Sequence, residues 1–391
     1  MSKNIRHQLD QSVPEDIILN NERKNKILNE ASHRLAHKSL SSPRKFKPLL
    51  IGIAIAGLSV FLSFPYLQEW SEDRAYQQST NNTLVEVTIP DVEYQSLIRA
   101  EYVGATKEMI YTDHEAIYSY SVDSETKKVL VEPKEDAGIY EFAVNEDWVV
   151  WEENSSSTMY VLNRRNNEIK VYPKVNMTDY HLEGEILTIF TFKSLENGVQ
   201  TPIYKSIDLT SFEETEILEL IGPGSNSEAA ISDGTMAIPE RLETADGVRT
   251  KFYLYDLNQK VSRGEYVVPF ENAEFVTFTE GKIYSQLSSE GDMSPKLSYI
   301  DLKDGRLMEL EAPTFNEYAV YQNYVALSVK WKDSNTVKLY EITGNTLKEL
   351  KTFNHIKERL VRPRFTDEGI LVVNGESDEF TMYLQDVNRL K

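Results

Sequence analysis

The segments FYLYDLNQKVSRGEYV at Phe252–Val267 and LSYIDLKDGRLMEL at Leu297–Leu310 share one layout: an apolar strand rich in tyrosine, an acid, a short turn, and a second strand. Looser copies are IYSYSVDSETKKVLV from Ile117, MYVLNRRNNEIKVY from Met159, IYKSIDLTSFEETEIL from Ile203, VKLYEITGNTLKEL from Val337 and TMYLQDVNRLK from Thr381. Aligning the polar residue that closes the strand gives Asp123, Asn163, Asp208, Asp256, Asp301, Glu341 and Asp386, at intervals of 40, 45, 48, 45, 40 and 45 residues. Such regular self-similarity marks a repeat architecture, in which one unit cannot bury its apolar faces alone.

A second marker recurs upstream, in phase with the first. Turn residues open an apolar strand at Asp147 (WVVW), Gly184 (EILTIF), Gly234 (TMAI), Gly281 (KIYS), Asn323 (YVAL) and Gly369 (ILVV), with Lys107 (EMIY) as a poorer first copy. Each unit then holds an inner strand, a turn, a second strand, a hairpin and two further strands. Four strands in a period of 40–48 residues predict a propeller blade rather than a sandwich. The expected fold is therefore all-β, a seven-bladed β-propeller, with six or eight blades left open by the degenerate first copy. Tyrosines at alternate positions suit a face packed on the next blade. The last copy stops at Lys391, short of an outer strand, whereas LVEVTI at Leu84–Ile89 has no repeat of its own. That strand is expected to complete the final blade and remove an exposed sheet edge.

Working outward, composition narrows the rest. Of 391 residues 40% are hydrophobic and 10% aromatic, enough apolar surface for a packed core and too much for an acidic disordered chain. The absence of cysteine excludes disulfide scaffolds, thiolate zinc sites and thiol catalysis. A net charge of −20 argues against nucleic acid as a partner, because phosphates require a basic footprint. That charge is unevenly placed. Residues 1–47 carry ten Lys/Arg against five acids, net +5, which leaves 32 Lys/Arg and 57 Asp/Glu, net −25, for the remainder.

Between these parts, residues 48–68 contain no ionisable side chain, and LLIGIAIAGLSVFLSF covers Leu49–Phe64. Roughly 20 apolar residues suffice to cross a bilayer core of about 30 Å. Arg44, Lys45 and Lys47 precede the run and Glu69, Glu72 and Asp73 follow it, which orients the N-terminus toward the cytoplasm. Tyr66 and Trp70 suit an outer interfacial belt. A cleavable signal peptide fits less well, since no small-x-small site follows the run before Trp70. The expected membrane anchor is thus a single helix bearing Leu49, Ile51, Ile53, Ile55, Leu58, Phe61 and Leu62. The domain plan is 1–47 as a basic cytoplasmic tail, 48–68 as signal anchor, 69–83 as linker and 84–391 as an extracytoplasmic propeller.

Within the tail, Ser12-Val13-Pro14-Glu15 has the form of a capping box opening a helix. Ile17, Leu28, Ala31 and Leu35 then fall near one side of a short helix, with Arg23, Lys24, Lys26 and Arg34 interspersed. One such helix builds no core alone, so its stripe needs a cytoplasmic protein partner or a lipid surface. Arg34, Lys38, Arg44, Lys45 and Lys47 serve the lipid alternative at about 1 kcal/mol each. Both alternatives stand.

The repeats of Leu84–Lys391 resemble divergent TolB-like or WD40-like β-propellers, carried on a single-pass membrane protein of a low-GC Gram-positive bacterium. Ser232-Asp233-Gly234 is a fair copy of the TolB-like aspartate–glycine turn, while no WD dipeptide ends the strands. The tail, with Val13-Pro14-Glu15, a short basic helix and one span, resembles those of Gram-positive anti-sigma factors, whose histidine–cysteine zinc signature is absent here. These resemblances imply a propeller fold and a sigma factor as the cytoplasmic partner.

No residue stands out as catalytic, cofactor-binding or metal-ligating. Outside the tail the histidines are His114, His181 and His355, in three different repeats, and isolated packing or surface roles are expected for them. There is no G-x-S-x-G elbow; the loop Gly222-Pro223-Gly224-Ser225-Asn226-Ser227 reads as an inter-blade turn. Glu213, Glu214, Glu216 and Glu219 read as one acidic outer hairpin and Glu271, Glu274 and Glu280 as another. Trp148 and Trp151, three apart on one strand, should point to opposite sheet faces, both more readily as core than as exposed contacts; Trp331 is similar.

The expected function is that of a non-enzymatic, membrane-anchored sensor or binding module, taking a protein or peptide outside and contacting a cytoplasmic partner. The alternative is a non-signalling cell-envelope scaffold. A propeller hydrolase of wall glycans is a third class and needs acids converging on the channel.

Overall fold

The computed structural model describes residues 84–390 except for 94–98, 134–136, 154–157, 174–178, 195–199, 222–226, 246, 290, 292–294, 332–333 and 377–378. The proposed membrane anchor at Leu49–Leu62, the helix of Ile17, Leu28, Ala31 and Leu35, and the linker lie outside the described residues. Among the described residues no helix is long and apolar enough to cross a membrane.

The described strands number twenty-eight, arranged as seven four-stranded antiparallel sheets. β1 (Leu84–Glu93) precedes blade 1, which is β2–β5 (Arg99–Val103, Glu108–Thr112, Ile117–Ser121, Thr126–Val131). Blade 2 is β6–β9 (Ile139–Val144, Trp148–Glu153, Thr158–Asn163, Glu168–Pro173) and blade 3 is β10–β13 (Asp179–Glu183, Ile186–Ser194, Gln200–Asp208, Glu214–Glu219). Blade 4 is β14–β17 (Ala230–Ser232, Thr235–Thr244, Gly247–Asp256, Val261–Val268) and blade 5 is β18–β21 (Asn272–Thr279, Lys282–Ser288, Lys296–Asp301, Arg306–Glu309). Blade 6 is β22–β25 (Phe315–Tyr321, Tyr324–Trp331, Ser334–Thr343, Thr346–Leu350), and blade 7 joins β26–β28 (Leu360–Phe365, Ile370–Glu376, Glu379–Asp386) to β1.

Apolar side chains on both faces of each blade force the sheets to stack. Seven buried clusters result, one per interface: Val87, Ile89, Met109 and Phe380 between blades 7 and 1, Ile110, Phe142 and Trp151 between 1 and 2, and so on around to Leu339, Leu371 and Val373 between 6 and 7. The seven-bladed count is met, and so is the ring closure read from the sequence. β1 pairs with β28 in the register Leu84↔Gln385 through Ile89↔Phe380, and Thr88 Oγ1 lies 3.0 Å from Thr381 Oγ1.

Both sequence markers have a hydrogen-bonding cause. The polar residue closing the third strand caps the turn that follows it. Asp208 Oδ1 accepts from the amides of Thr210 and Ser211, Asp256 Oδ1 from Gln259, Asp301 Oδ1 from Lys303, and Asn163 Oδ1 from Arg165. The amide one residue later then donates to the carbonyl of the turn opening the second strand in every blade: Val122 to Lys107, Arg164 to Asp147, Leu209 to Glu185, Leu257 to Gly234, Leu302 to Gly281, Ile342 to Asn323 and Val387 to Gly369. This bond is why the two markers keep phase.

One alignment needs correction, and one marker keeps its place without its cap. By pairing with the second strand the first marker is Ser121, opposite Glu108, and not Asp123; Ser121 Oγ caps the amide of Ser124, while Asp123 pairs with Lys107. Glu341 holds the equivalent place in blade 6, opposite Tyr324, but the strand runs on to Thr343 and turns at Gly344 without an acidic cap.

Closure predicts a strong effect from a covalent bond at that seam. In a chain without cysteine, Thr88→Cys with Thr381→Cys should form one disulfide and raise the urea midpoint, by on the order of 2–5 kcal/mol in stability, with the gain lost on adding reductant. Unchanged midpoints in the oxidised variant would contradict the pairing.

Candidate functional site

The innermost strands of the seven blades wall a central channel, whose two ends differ. One end carries the short turns between first and second strands; the other carries the hairpins between second and third strands and the blade-to-blade connections. At the first end the turns are tight. Asp233-Gly234 and Glu280-Gly281 have positive φ at both central residues (52° and 68°, 47° and 68°), the geometry of a type I′ hairpin that matches strand twist. At Gly234 an added Cβ would also displace the side-chain amide of Asn258.

These turns gather carboxylates from several blades. Glu183 of blade 3 is shifted up, chiefly by burial and then by Asp367 and Asp233, although the Gly234 amide donates to it at 3.2 Å and pulls the other way. Asp367 of blade 7 is shifted up by loss of surrounding water, then by Glu368, Glu146 and Asp233. Asp367 of blade 7 is separated by at least one blade from Glu146, Glu183 and Asp233 of blades 2, 3 and 4, so their repulsion acts across the channel mouth. A carboxyl raised in the folded state binds protons that the unfolded chain has already lost, so it destabilises the fold once ionised. The ring should therefore gain stability as pH falls through the raised values toward the ordinary range near 4. Asp367→Asn is expected to raise the urea midpoint at pH 7 and to flatten that part of the pH profile.

At the blade 1–2 seam the balance runs the other way. Burial alone would push Glu108 up, but hydrogen bonds from Lys128 Nζ (3.0 Å) and Ser119 Oγ (2.8 Å), together with the Arg164 guanidinium, hold it at about 2. Its contribution is present above the ordinary carboxylate value and is lost as pH falls toward 2. Glu108→Gln removes the carboxylate from Arg164, whose side chain is only 9% exposed and keeps the Asn145 carbonyl as acceptor, and should cost about 3 kcal/mol at pH 7 in urea titrations and much less near pH 2.

The remaining sequence candidates fall as follows. Trp148 lies between blades 2 and 3 and Trp151 between blades 1 and 2, both buried, Trp151 stacked on Tyr160 at 5.3 Å; neither is open to a ligand. The Trp331 side chain and residues 222–226 lie outside what is described. His114 occupies the second hairpin of blade 1, His181 sits on β10 with Nε2 3.9 Å from Glu228, and His355 lies in the connection before β26; these three are not brought together. No group of three or more His, Asp or Glu placed to hold a metal occurs among the described residues. Glu213, Glu214 and Glu216 do flank or form an outer strand, but they pair with Lys260, Lys205 and Lys193, and the Tyr172 hydroxyl donates to Glu214. The second proposed hairpin is corrected: Glu274 is on β18, the innermost strand of blade 5, with Glu280 in the turn that follows.

Sequence reading missed the inner-strand bulges. In blades 2, 5, 6 and 7 the innermost strand holds one residue more than its partner, between Ile139 and Phe142, Glu274 and Thr277, Phe315 and Glu317, and Val361 and Arg364. In blades 1, 3 and 4 the register is continuous. Bulges re-aim side chains, and they concentrate near binding sites. Phe275 and Arg362 occupy the same place in blades 5 and 7, both left-handed, with φ of 54° and 53°. Phe275 is 46% exposed although it lies in the middle of an inner strand flanked by two blades, so its ring opens toward the channel.

No protein-family description matches the chain, and no curated protein matches it. Solved structures do. A chain of the structure described as "Crystal Structure of Mitotic Checkpoint Complex" aligns with a TM-score of 0.53 at 9% identity, over 77% of this chain and 90% of that one. U3-55K aligns with a TM-score of 0.50 at 11% identity, over 78% and 98%. BamB from Moraxella catarrhalis aligns at 0.45 and 13% identity, over 74% and 86%. At such identities the first two show the fold alone, that of a β-propeller.

Proposed function

We propose that the protein is a membrane-anchored, extracytoplasmic binding module that senses a protein or peptide and reports to a cytoplasmic partner, without catalysing a reaction. One observation carries this reading: the strand that closes the ring, Leu84–Glu93, follows the uncharged segment 48–68 after only a short linker. A propeller held at its own seam by an N-terminal tether is suited to display. The charge division of +5 before the segment and −25 after it supports placement on two sides of a membrane. The basic tail with Ile17, Leu28, Ala31 and Leu35 is suited to a protein partner such as a sigma factor.

A scaffold role in the cell envelope has its own support in the exposed apolar side chains of the outer strands, Ile169 and Val171 on β9 and Val267 on β17. Replacing residues 1–47 by an unrelated basic tail separates the two readings. A regulator is expected to lose its effect on transcription of its target genes while the protein stays in the membrane fraction; retention of full effect would leave the scaffold.

A further inference from the structure

We propose that β9, the outermost strand of blade 2, is a self-association edge, at which two copies of this chain pair their β9 strands antiparallel about Ile169. The inference goes beyond the binding-module reading and does not rest on it.

The outer strand of a blade has a neighbour on one side only, and most of these strands carry a feature that spoils further pairing. A register break interrupts β5, β13 and β17, β21 has four residues, and β1 loses its register after Ile89. β25 keeps its register but shows threonine, lysine and glutamate to solvent. β9 (EIKVYP, Glu168–Pro173) pairs with β8 without a break, from Thr158↔Pro173 to Asn163↔Glu168. It also exposes two β-branched side chains on one face, Ile169 at 52% and Val171 at 62%. The other face is used within the molecule: Lys170 sits over the Phe212 ring at 4.9 Å, and Tyr172 stacks on that ring at 6.2 Å. Nothing among the described residues pairs with the outer side of β9.

The backbone is turned to match. The Arg164 amide donates to the Asp147 carbonyl beyond the pair Trp148↔Asn163, so the amide and carbonyl of Asn163 turn toward β9 instead. By alternation those of Glu168 and Lys170 turn back to β8, and those of Ile169 and Val171 are left facing outward. A second copy laid antiparallel with Ile169 opposite Ile169 therefore exchanges two backbone hydrogen bonds at the centre. The same register sets Glu168 against Lys170 twice, once on each side of the two-fold axis. Sliding one copy by two residues puts Lys170 against Lys170 in one direction and Glu168 against Glu168 in the other, so charge selects the register. The complement of this edge is the edge itself, which is why a second copy is the partner it fits.

The two rings then lie side by side with their turn-side mouths facing opposite ways. Copies tethered as proposed above can reach this arrangement, since residues 69–83 extend to about 50 Å. A seam of one short strand a side is smaller than a permanent dimer interface, so reversible association, on the order of micromolar, is expected.

The test follows full-length protein in detergent by sedimentation, with the urea midpoint of each variant measured alongside. Glu168→Lys and Lys170→Glu, each alone, set like charges together twice and should weaken self-association about tenfold. The double variant, and an equimolar mixture of the two single variants, restore opposite charges and should associate as the parent does. Because the chain has no cysteine, Ile169→Cys should be joined to its own copy by a short bismaleimide much faster than Val267→Cys, a 62% exposed position on the outer strand of blade 4. A parent that sediments as a monomer at micromolar concentration, single variants that associate as the parent does, or equal cross-linking at the two positions overturns the seam. A mixture and a double variant that both stay weak overturn its two-fold register.

Discussion

A blade with two apolar faces has no stable life on its own, and everything else in the molecule follows from that. Each sheet must be covered on both sides, so the stack can end only by meeting its beginning. The meeting is made by β1, which supplies hydrogen bonds to β28 and apolar side chains, Val87 and Ile89, to the interface with blade 1. One strand therefore satisfies an edge and a face together. With no cysteine to fasten it, the seam depends on this pairing and on the packing beneath it.

Repetition was legible because turns are chemically demanding. An oxygen-bearing side chain is needed to cap the amides after the third strand, and a left-handed residue suits the turn before the second, so Asp208, Asp256, Asp301, Gly234 and Gly281 advertise themselves. Where another residue does the same work the signal slips: Ser121 caps its turn with a hydroxyl, and the more conspicuous Asp123 two residues on drew the alignment. Blade closure was legible for a different reason, a simple count of strands against repeats. The bulges were not. Phe275 and Arg362 are not residue types that mark a left-handed backbone, and the bonds around Phe275 come from Tyr318 and Ser227, both more than forty residues away in sequence.

Electrostatically the ring combines two opposed designs. At the blade 1–2 seam a buried carboxylate is held by the Ser119 hydroxyl, the Lys128 ammonium and the Arg164 guanidinium, and it locks neighbours together. At the turn-side mouth carboxylates of four blades are held close with little compensation. The first arrangement stabilises a joint between sheets, and the second leaves a concentrated negative field at one end of the channel. Such a field attracts cations and repels anions, so the two ends of the channel are unequal as entrances.

The seam between β1 and β28 also sets an order of events. Its partners lie about three hundred positions apart, first against last among the described strands, whereas every other described pairing joins strands consecutive in sequence. Entropy of closure grows only slowly with such distance, about 0.6 kcal/mol per doubling, so the join is affordable once made. Time is the scarcer quantity. A chain synthesised from its N-terminus must keep Leu84–Glu93, a β-branched and sticky strand, without its mate until the last forty residues emerge. The hairpins of blades 1 to 6 form meanwhile, and the first strand to be made is the last to find its place.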